Sequence, residues 1–326
     1  MALPLSPPLV PQLARGKTAL PTEEGWSYEP KYDGFRAIAF VDGTDVALLS
    51  RGGKPLERYF PEITFPAGRY VLDGELVIDA ASGAAEAEDF DALSQRIHPA
   101  ASRIERLSQE TPARYIAFDL LALGDDDRMA APFSERRAAL EALFDADDLD
   151  WPASTATLTP LVHTPAEAEQ WLTGRFEGVI AKVLDSPYLP GERKAMVKVK
   201  RQRTIDAVVA GYRTGKEPGT VGSLMLGVYD EAGELRVVGH TSGLKAKEKR
   251  DLVDTLAPYE TGERGSADPS RWRPEEELAW VALRPELVIE VSFDQVSAGR
   301  IRHGAKLLRW RDDKPPAECT IDQLDQ

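Results

Sequence analysis

Residues 205–213 (IDAVVAGYR), 222–230 (GSLMLGVYD), 234–240 (ELRVVGH), 277–283 (ELAWVAL) and 286–293 (ELVIEVSF) read as five strands. One helical stretch, 244–256 (LKAKEKRDLVDTL), falls between the third and the fourth. Five strands with a helix after the third suit a small Greek-key barrel of the OB type. The pattern begins just after 196–200 (MVKVK), which places a domain boundary near Lys200–Arg203.

Upstream of that boundary the chain is again rich in strands. FRAIAFV (35–41) and DVALLS (45–50) flank Asp42-Gly43, a hairpin signal. RYVLDGELVID (69–79), RYIAFDLLAL (114–123) and GVIAKV (178–183) follow as strands. Ser134 opens a helix, and Thr164-Pro165-Ala166-Glu167 forms a capping box for a second helix that Gly174 ends. The expected architecture is α+β, with one domain over residues 1–200 and an OB domain over 201–326.

A chain of 326 residues, 42% of them hydrophobic, suits two domains with real cores. The single cysteine, Cys319, excludes an internal disulfide, and four histidines without ligand spacing argue against a His-based zinc site. There is no membrane-length apolar run and no signal pattern, so the expectation is a cytoplasmic protein. The net charge of −14 decides less than its distribution. Basic residues gather in 175–203 and in 299–311 (GRIRHGAKLLRWR), whereas 124–150 is an acidic stretch that reads as a solvated face. Such polarity leaves a polyanionic partner open, its phosphates met by 193–203 and 299–306.

Gly16-Lys17-Thr18 resembles the tail of a phosphate-binding P-loop, but Pro11 occupies the required upstream glycine position. The informative cluster is 29–36, Glu-Pro-Lys-Tyr-Asp-Gly-Phe-Arg. Lys31 before a tight Asp33-Gly34 turn suits a covalent nucleophile whose lone pair is freed by desolvation and nearby cations; alone, it reads more readily as a surface lysine on a hairpin. Ser50-Arg51-Gly52-Gly53-Lys54 ends a strand where Arg51 could reach a ribose or phosphate. In VLDGELVI, alternation sets Asp73 and Glu75 on the face opposite Leu72, Gly74 and Leu76. Phe118 reads as a purine-stacking aromatic or as core. Glu177 and Lys182 offer a metal carboxylate and a phosphate-reaching cation. Lys198 and Lys200 share one strand face, which suits either a phosphate or the solvent side of an edge strand.

In this order the clusters resemble those of the covalent nucleotidyltransferases, specifically the ATP-dependent DNA ligases. KYDGFR (31–36) matches the nucleophile motif, SRGGK the second and LDGEL the third; FDLL matches the aromatic motif, EGVIAK the fourth and VKVK the fifth. Arg309-Trp310-Arg311-Asp312-Asp313-Lys314 resembles the last motif, carried on the OB domain. The resemblance covers residues ~10–316 and is strongest to the short bacterial ligase C and the ligase module of ligase D.

The resemblance implies a nucleotidyltransferase (adenylylation) domain followed by an OB domain, and it implies roles. Lys31 takes AMP from ATP, Glu29 contacts the adenine and Phe118 stacks on it, while Arg36 and Arg51 hold phosphate and ribose. Glu75 serves ribose or metal, Glu177 metal, and Lys182, Lys198 and Lys200 the α-phosphate. Arg309 and Lys314 meet the leaving pyrophosphate, which implies that the second domain closes over ATP and then swings away about Lys200–Arg203. Mg²⁺, with Mn²⁺ as a substitute, offsets the triphosphate charge. The implied partners are nicked duplex DNA and repair or end-joining proteins, the enzyme being a monomer at the bacterial nucleoid. A GTP-using RNA capping guanylyltransferase, an RNA ligase and a non-catalytic OB protein share parts of the pattern and stay open here.

Overall fold

The computed structural model describes residues 3–79, 88–173, 176–266, 279–294, 296–297, 299–302 and 304–325. The chain divides into two compact units, Met1–Arg201 and Gln202–Gln326.

In the first unit the strands are β1 (Arg15–Lys17), β2 (Trp26–Lys31), β3 (Phe35–Gly43), β4 (Asp45–Ser50), β5 (Gly68–Val77), β6 (Arg114–Leu123), β7 (Asp126–Asp127), β8 (Ala156–Leu158), β9 (Gly178–Val183) and β10 (Met196–Lys200). The helices are α1 (Phe90–Gln95), α2 (Ala101–Glu110), α3 (Phe133–Phe144) and α4 (Pro165–Thr173). One sheet runs β1-β10-β9-β2 and the other β4-β3-β5-β6-β7, with β8 also on β6. The β3–β4 hairpin turns where expected: Asp42 opposes Asp45, and Gly43 takes the left-handed conformation (φ 68°) that such a tight reversal needs. Alternation along β5 sends Leu72 and Leu76 into a core with Tyr115, Leu120, Leu140 and Trp151. Asp73 is buried on the opposite face.

Three local expectations are corrected. α3 begins at Phe133, with Pro132 at its N-cap, so Ser134 is already helical. The acidic stretch is solvated at Asp125 and Asp126, yet α3 turns Arg136 and Arg137 inward to 2% and 7% exposure, because each finds a carboxylate or carbonyl there. β10 is an interior strand, because β1 pairs parallel to its far side through Arg15–Lys17, the segment that mimicked a P-loop. The capping box at Thr164 forms as expected: Glu167 N–H donates to Thr164 Oγ1 at 3.3 Å, and Thr164 N–H to Glu167 Oε2 at 3.0 Å. Gly174, together with Arg175 of the basic stretch, lies outside the described residues.

The second unit holds β11 (Arg203–Thr214), β12 (Val221–Tyr229), β13 (Leu235–His240), α5 (Ala246–Leu256), β14 (Glu260–Ser266), β15 (Ala279–Leu283), β16 (Val288–Phe293), β17 (Val296–Ser297), β18 (Arg300–Ile301) and β19 (Lys306–Trp310). All five expected strands are present, as is the helix after the third. β14 and β19 are additional, and they join the same sheet. β14 (ETGERGS) has no apolar alternation to reveal it, and β19 lies inside a basic stretch. β11 curls the sheet: one edge pairs with β12, while the other pairs first with β16 and then with β15. Cys319 is fully buried against Val208 and Val288.

Candidate active site

Lys31 ends β2, and β3 starts at Phe35 after a turn that only glycine fits. A Cβ on Gly34 would lie 2.1 Å from the Leu76 carbonyl oxygen of β5, so the chain can pass this close only without a side chain. Gly178 is held the same way against Val199 O, with φ at +154°. These two contacts seat the nucleophile candidate against the third motif and the Glu177 segment against the fifth.

Between the two sheets of the first unit opens a cleft of about 260 Å³. Glu29, Lys31, Arg36, Arg51, Glu75, Phe118, Lys182 and Lys198 all line it, from six strands and one turn. Ile180 lines it too, from the sheet that carries Lys182 and Lys198. Glu177 joins the site through its carboxylate, which pairs with Lys31 Nζ and, at 3.1 Å, with Lys200 Nζ. The two candidate metal carboxylates sense each other: Glu177 helps to raise the Glu75 carboxyl. Glu75 is pushed up to about 7, chiefly by burial, against the lowering pull of Arg36 and Lys31. Lys198 is shifted down, first by burial and then by the neighbouring Lys31 and Lys200 cations. The cleft floor is thus cationic and partly desolvated, an environment made for phosphate oxygens.

Several predicted residues already have partners. Arg36 forks onto Asp73 with two bonds of 2.6 Å and lies over the Phe118 ring at 4.4 Å. Phe118 is 8% exposed, so it is both a cleft wall and largely buried. Lys182 is buried, pairing with Glu29 Oε2 at 2.8 Å and donating to the Phe118 carbonyl at 2.9 Å. Arg309 and Lys314 belong to the second unit, where they pair with Glu290 at 2.5 Å and Glu318 at 2.9 Å.

The structure also brings in residues that sequence reading missed. Gln12 is 3% exposed and lines the cleft, fixed by Tyr188 Oη, which accepts its backbone N–H, and by the Lys194 carbonyl. Tyr188 donates to Asp73 Oδ2 at 2.5 Å and so supports the Arg36 fork. Arg193, part of the basic stretch expected at polyanion phosphates, also lines the cleft. Gln12 and Tyr188 come from Pro-rich irregular segments that carry no period; only the basic run around Arg193 left a signal.

Among known proteins, the ATP dependent DNA ligase domain matches residues 7–200, and the ATP dependent DNA ligase C terminal region matches 217–314. DNA ligase C1 of Mycolicibacterium smegmatis is 46% identical over 342 residues, covering 100% of this chain and 96% of that protein. DNA ligase C of Mycobacterium tuberculosis is 42% identical over 352 residues, with the same shares. The crystal structure of the ligase domain from M. tuberculosis LigD superposes with a TM-score of 0.50 at 29% identity, over 96% of this chain and 98% of that one.

Proposed function

The chain belongs to the ATP-dependent DNA ligases, and from that premise we propose that it seals 3′-OH/5′-phosphate nicks in duplex DNA through Lys31. The observation that carries this reading is Lys31 at the cleft, its ammonium paired with Glu177, which in turn pairs with Lys200. The Lys31 amine attacks the α-phosphorus of ATP; a P–N bond forms as the bond to pyrophosphate breaks, and the amine proton goes to solvent. An oxygen of the nick's 5′-phosphate then attacks that phosphorus: a P–O bond forms as the P–N bond breaks, and the Lys31 amine takes back a proton from solvent. The 3′-OH attacks that phosphate, the phosphodiester forms and AMP departs. Lys198 and Lys200 balance the charge that builds on the transferring phosphate, and Glu29 with Phe118 holds the base. Residues 1–200 serve as the adenylylation domain and 201–326 as the OB domain. Incubation with α-labelled ATP or GTP, followed by denaturation, tests the reading: the label should persist on the protein from ATP alone.

Glu75 and Glu177 suit a magnesium ion. Among the described residues no group of three or more His, Cys, Asp or Glu could hold a metal. Two carboxylates completed by triphosphate oxygens and water match the usual Mg²⁺ habit, and Mn²⁺ fits the same oxygen donors. Bound there, the metal supplies charge neutralisation for the triphosphate. Glu177 is also the partner of the Lys31 ammonium, so a cation held by its carboxylate would compete with that pair.

A pH dependence follows. An acid with a pKa near 7 is mostly protonated at pH 6 and mostly ionised at pH 8. Mn²⁺ affinity at Glu75 should therefore fall about tenfold between pH 8 and pH 6, and Glu75→Gln should flatten that slope. Titration of the protein with Mn²⁺ at both pH values checks this; a wild-type affinity independent of pH removes Glu75 from the metal.

Arg309 and Lys314 act on the pyrophosphate, whose charge grows as it leaves. Arg309→Ala should slow adenylylation of Lys31 by about a hundredfold while leaving sealing of an already adenylylated nick within about twofold. Equal loss in both steps, or in neither, contradicts this role. The partners proposed are nicked DNA and bacterial repair or end-joining proteins, the enzyme acting as a monomer in the cytoplasm on nucleoid DNA. No helix among the described residues is long and apolar enough to cross a membrane.

A further inference from the structure

Two buried polar atoms beside the cleft have no hydrogen-bond partner, Glu29 Oε1 and Arg137 Nη1. They face each other at 3.7 Å, beyond hydrogen-bond reach, from side chains only 3% and 9% exposed. The other polar atoms of both groups are committed. Glu29 Oε2 takes Lys182 Nζ at 2.8 Å. Arg137 donates Nη2 to the Thr159 carbonyl at 2.9 Å and Nε to Glu141 at 2.6 Å. Glu29 lines the cleft, and Arg137 stands behind it on α3 without lining the cleft itself. A buried carboxylate oxygen that accepts no hydrogen bond is costly even beside a counter-charge, so its presence beside a ligand cleft points to a ligand donor that completes it.

We propose that Arg137 is a positioning residue for base recognition: from α3 it holds Glu29 so that Oε1 stays an open acceptor for the adenine amino group, and it thereby sets the preference for ATP over GTP. This rests on the reading of Glu29 as the base contact. Adenine carries an amino donor where guanine carries a carbonyl acceptor, so an ionised Oε1 attracts the first and repels the second. A proton gained by Glu29 would settle on Oε1, since Oε2 already accepts from Lys182, and it would turn the acceptor into a donor that matches guanine.

The groups facing Glu29 are Lys182 on β9, Arg137 on α3, Asp119 on β6 and Tyr32 just past β2. Burial raises the Glu29 carboxyl most; Lys182 and then Arg137 hold it down, and Asp119 adds to the rise. Loss of Arg137 therefore raises it further, and the open acceptor fades as pH falls.

The test follows formation of lysyl-AMP from ATP and of lysyl-GMP from GTP, each against nucleotide concentration between about pH 6 and about pH 8, for wild type, Arg137→Met, Arg137→Lys and Glu29→Ala. Sealing of a nick supplied already adenylylated is measured alongside. Arg137→Met should raise the KM for ATP about tenfold near pH 7 and more at lower pH, narrow the ATP-over-GTP preference, and spare both kcat and the sealing step. Arg137→Lys should recover most of the loss. If Glu29→Ala raises the KM for ATP while Arg137→Met changes neither KM nor nucleotide preference, the inference is overturned and the base-contact reading stands. If Glu29→Ala leaves the KM for ATP unchanged, both fall. Equal losses in kcat, KM and sealing, with nucleotide preference intact, mean that Arg137 is structural only. Should Arg137→Met fail to fold, Arg137→Gln decides: a shift of nucleotide preference toward GTP supports the inference, and an unchanged preference overturns it.

Discussion

Lys31→Ala should abolish retention of labelled AMP on the denatured protein while leaving the protein folded and able to seal a nick that is already adenylylated. Adenylylation needs the amine as its attacking atom, and no neighbouring cation stands in for a bond-forming nucleophile. The later sealing step uses phosphate-binding charge, which Lys198 and Lys200 still supply. Stability should change by on the order of 1 kcal/mol, because Glu177 keeps Lys200 at 3.1 Å and is not left as an unpaired buried charge. Removing Glu177 or Lys200 should differ by damaging both steps. Labelled protein recovered from Lys31→Ala after denaturation would place the nucleophile elsewhere.

The largest stability effect is expected one residue past Phe118. Asp119 and Arg136 form a two-bond pair, 2.7 Å and 3.0 Å long, with side chains 1% and 2% exposed. Arg136 also donates to the carbonyls of Ala131 and Ser186, which ties α3 to the loop after β9. Asp119→Ala leaves a buried guanidinium without its counter-charge and should destabilise the first unit by about 3–5 kcal/mol. Replacing both partners with apolar residues of similar volume should cost far less, since the desolvation of two charges is removed together with their attraction. Urea unfolding of the single and double variants measures the difference; additive losses would show that the pair is not the source.

Much of the fold was legible because strands with one buried face carry it in their period. Leu72 and Leu76 of β5 alternate with Asp73 and Glu75, and β10 alternates Val197 and Val199 with Lys198 and Lys200, so both faces could be assigned before any coordinates. β14 could not be read, since a strand of Thr, Glu, Arg and two glycines looks like a loop until its backbone finds β15. Arg136 and Arg137 were placed on a solvated face because sequence reports charge but not the buried carboxylates that neutralise it.

By itself, the sequence determined the α+β class, the strand-rich halves on either side of residues 200–203, the ordered motifs, and Lys31, Glu75 and Glu177 as candidates for the site. Those are local properties, set by period, turn chemistry and the order of residues along one strand. Only the tertiary structure decided that Arg36 is held by Asp73, which Tyr188 bonds in turn, that Gln12 walls the cleft, and that Glu29 Oε1 is buried without a hydrogen-bond partner beside Arg137. Each of these joins side chains far apart in the chain, and the physical reason is burial: once water is excluded, each charge or amide must take whatever partner the packing brings within about 3 Å, and no local pattern encodes which partner that is.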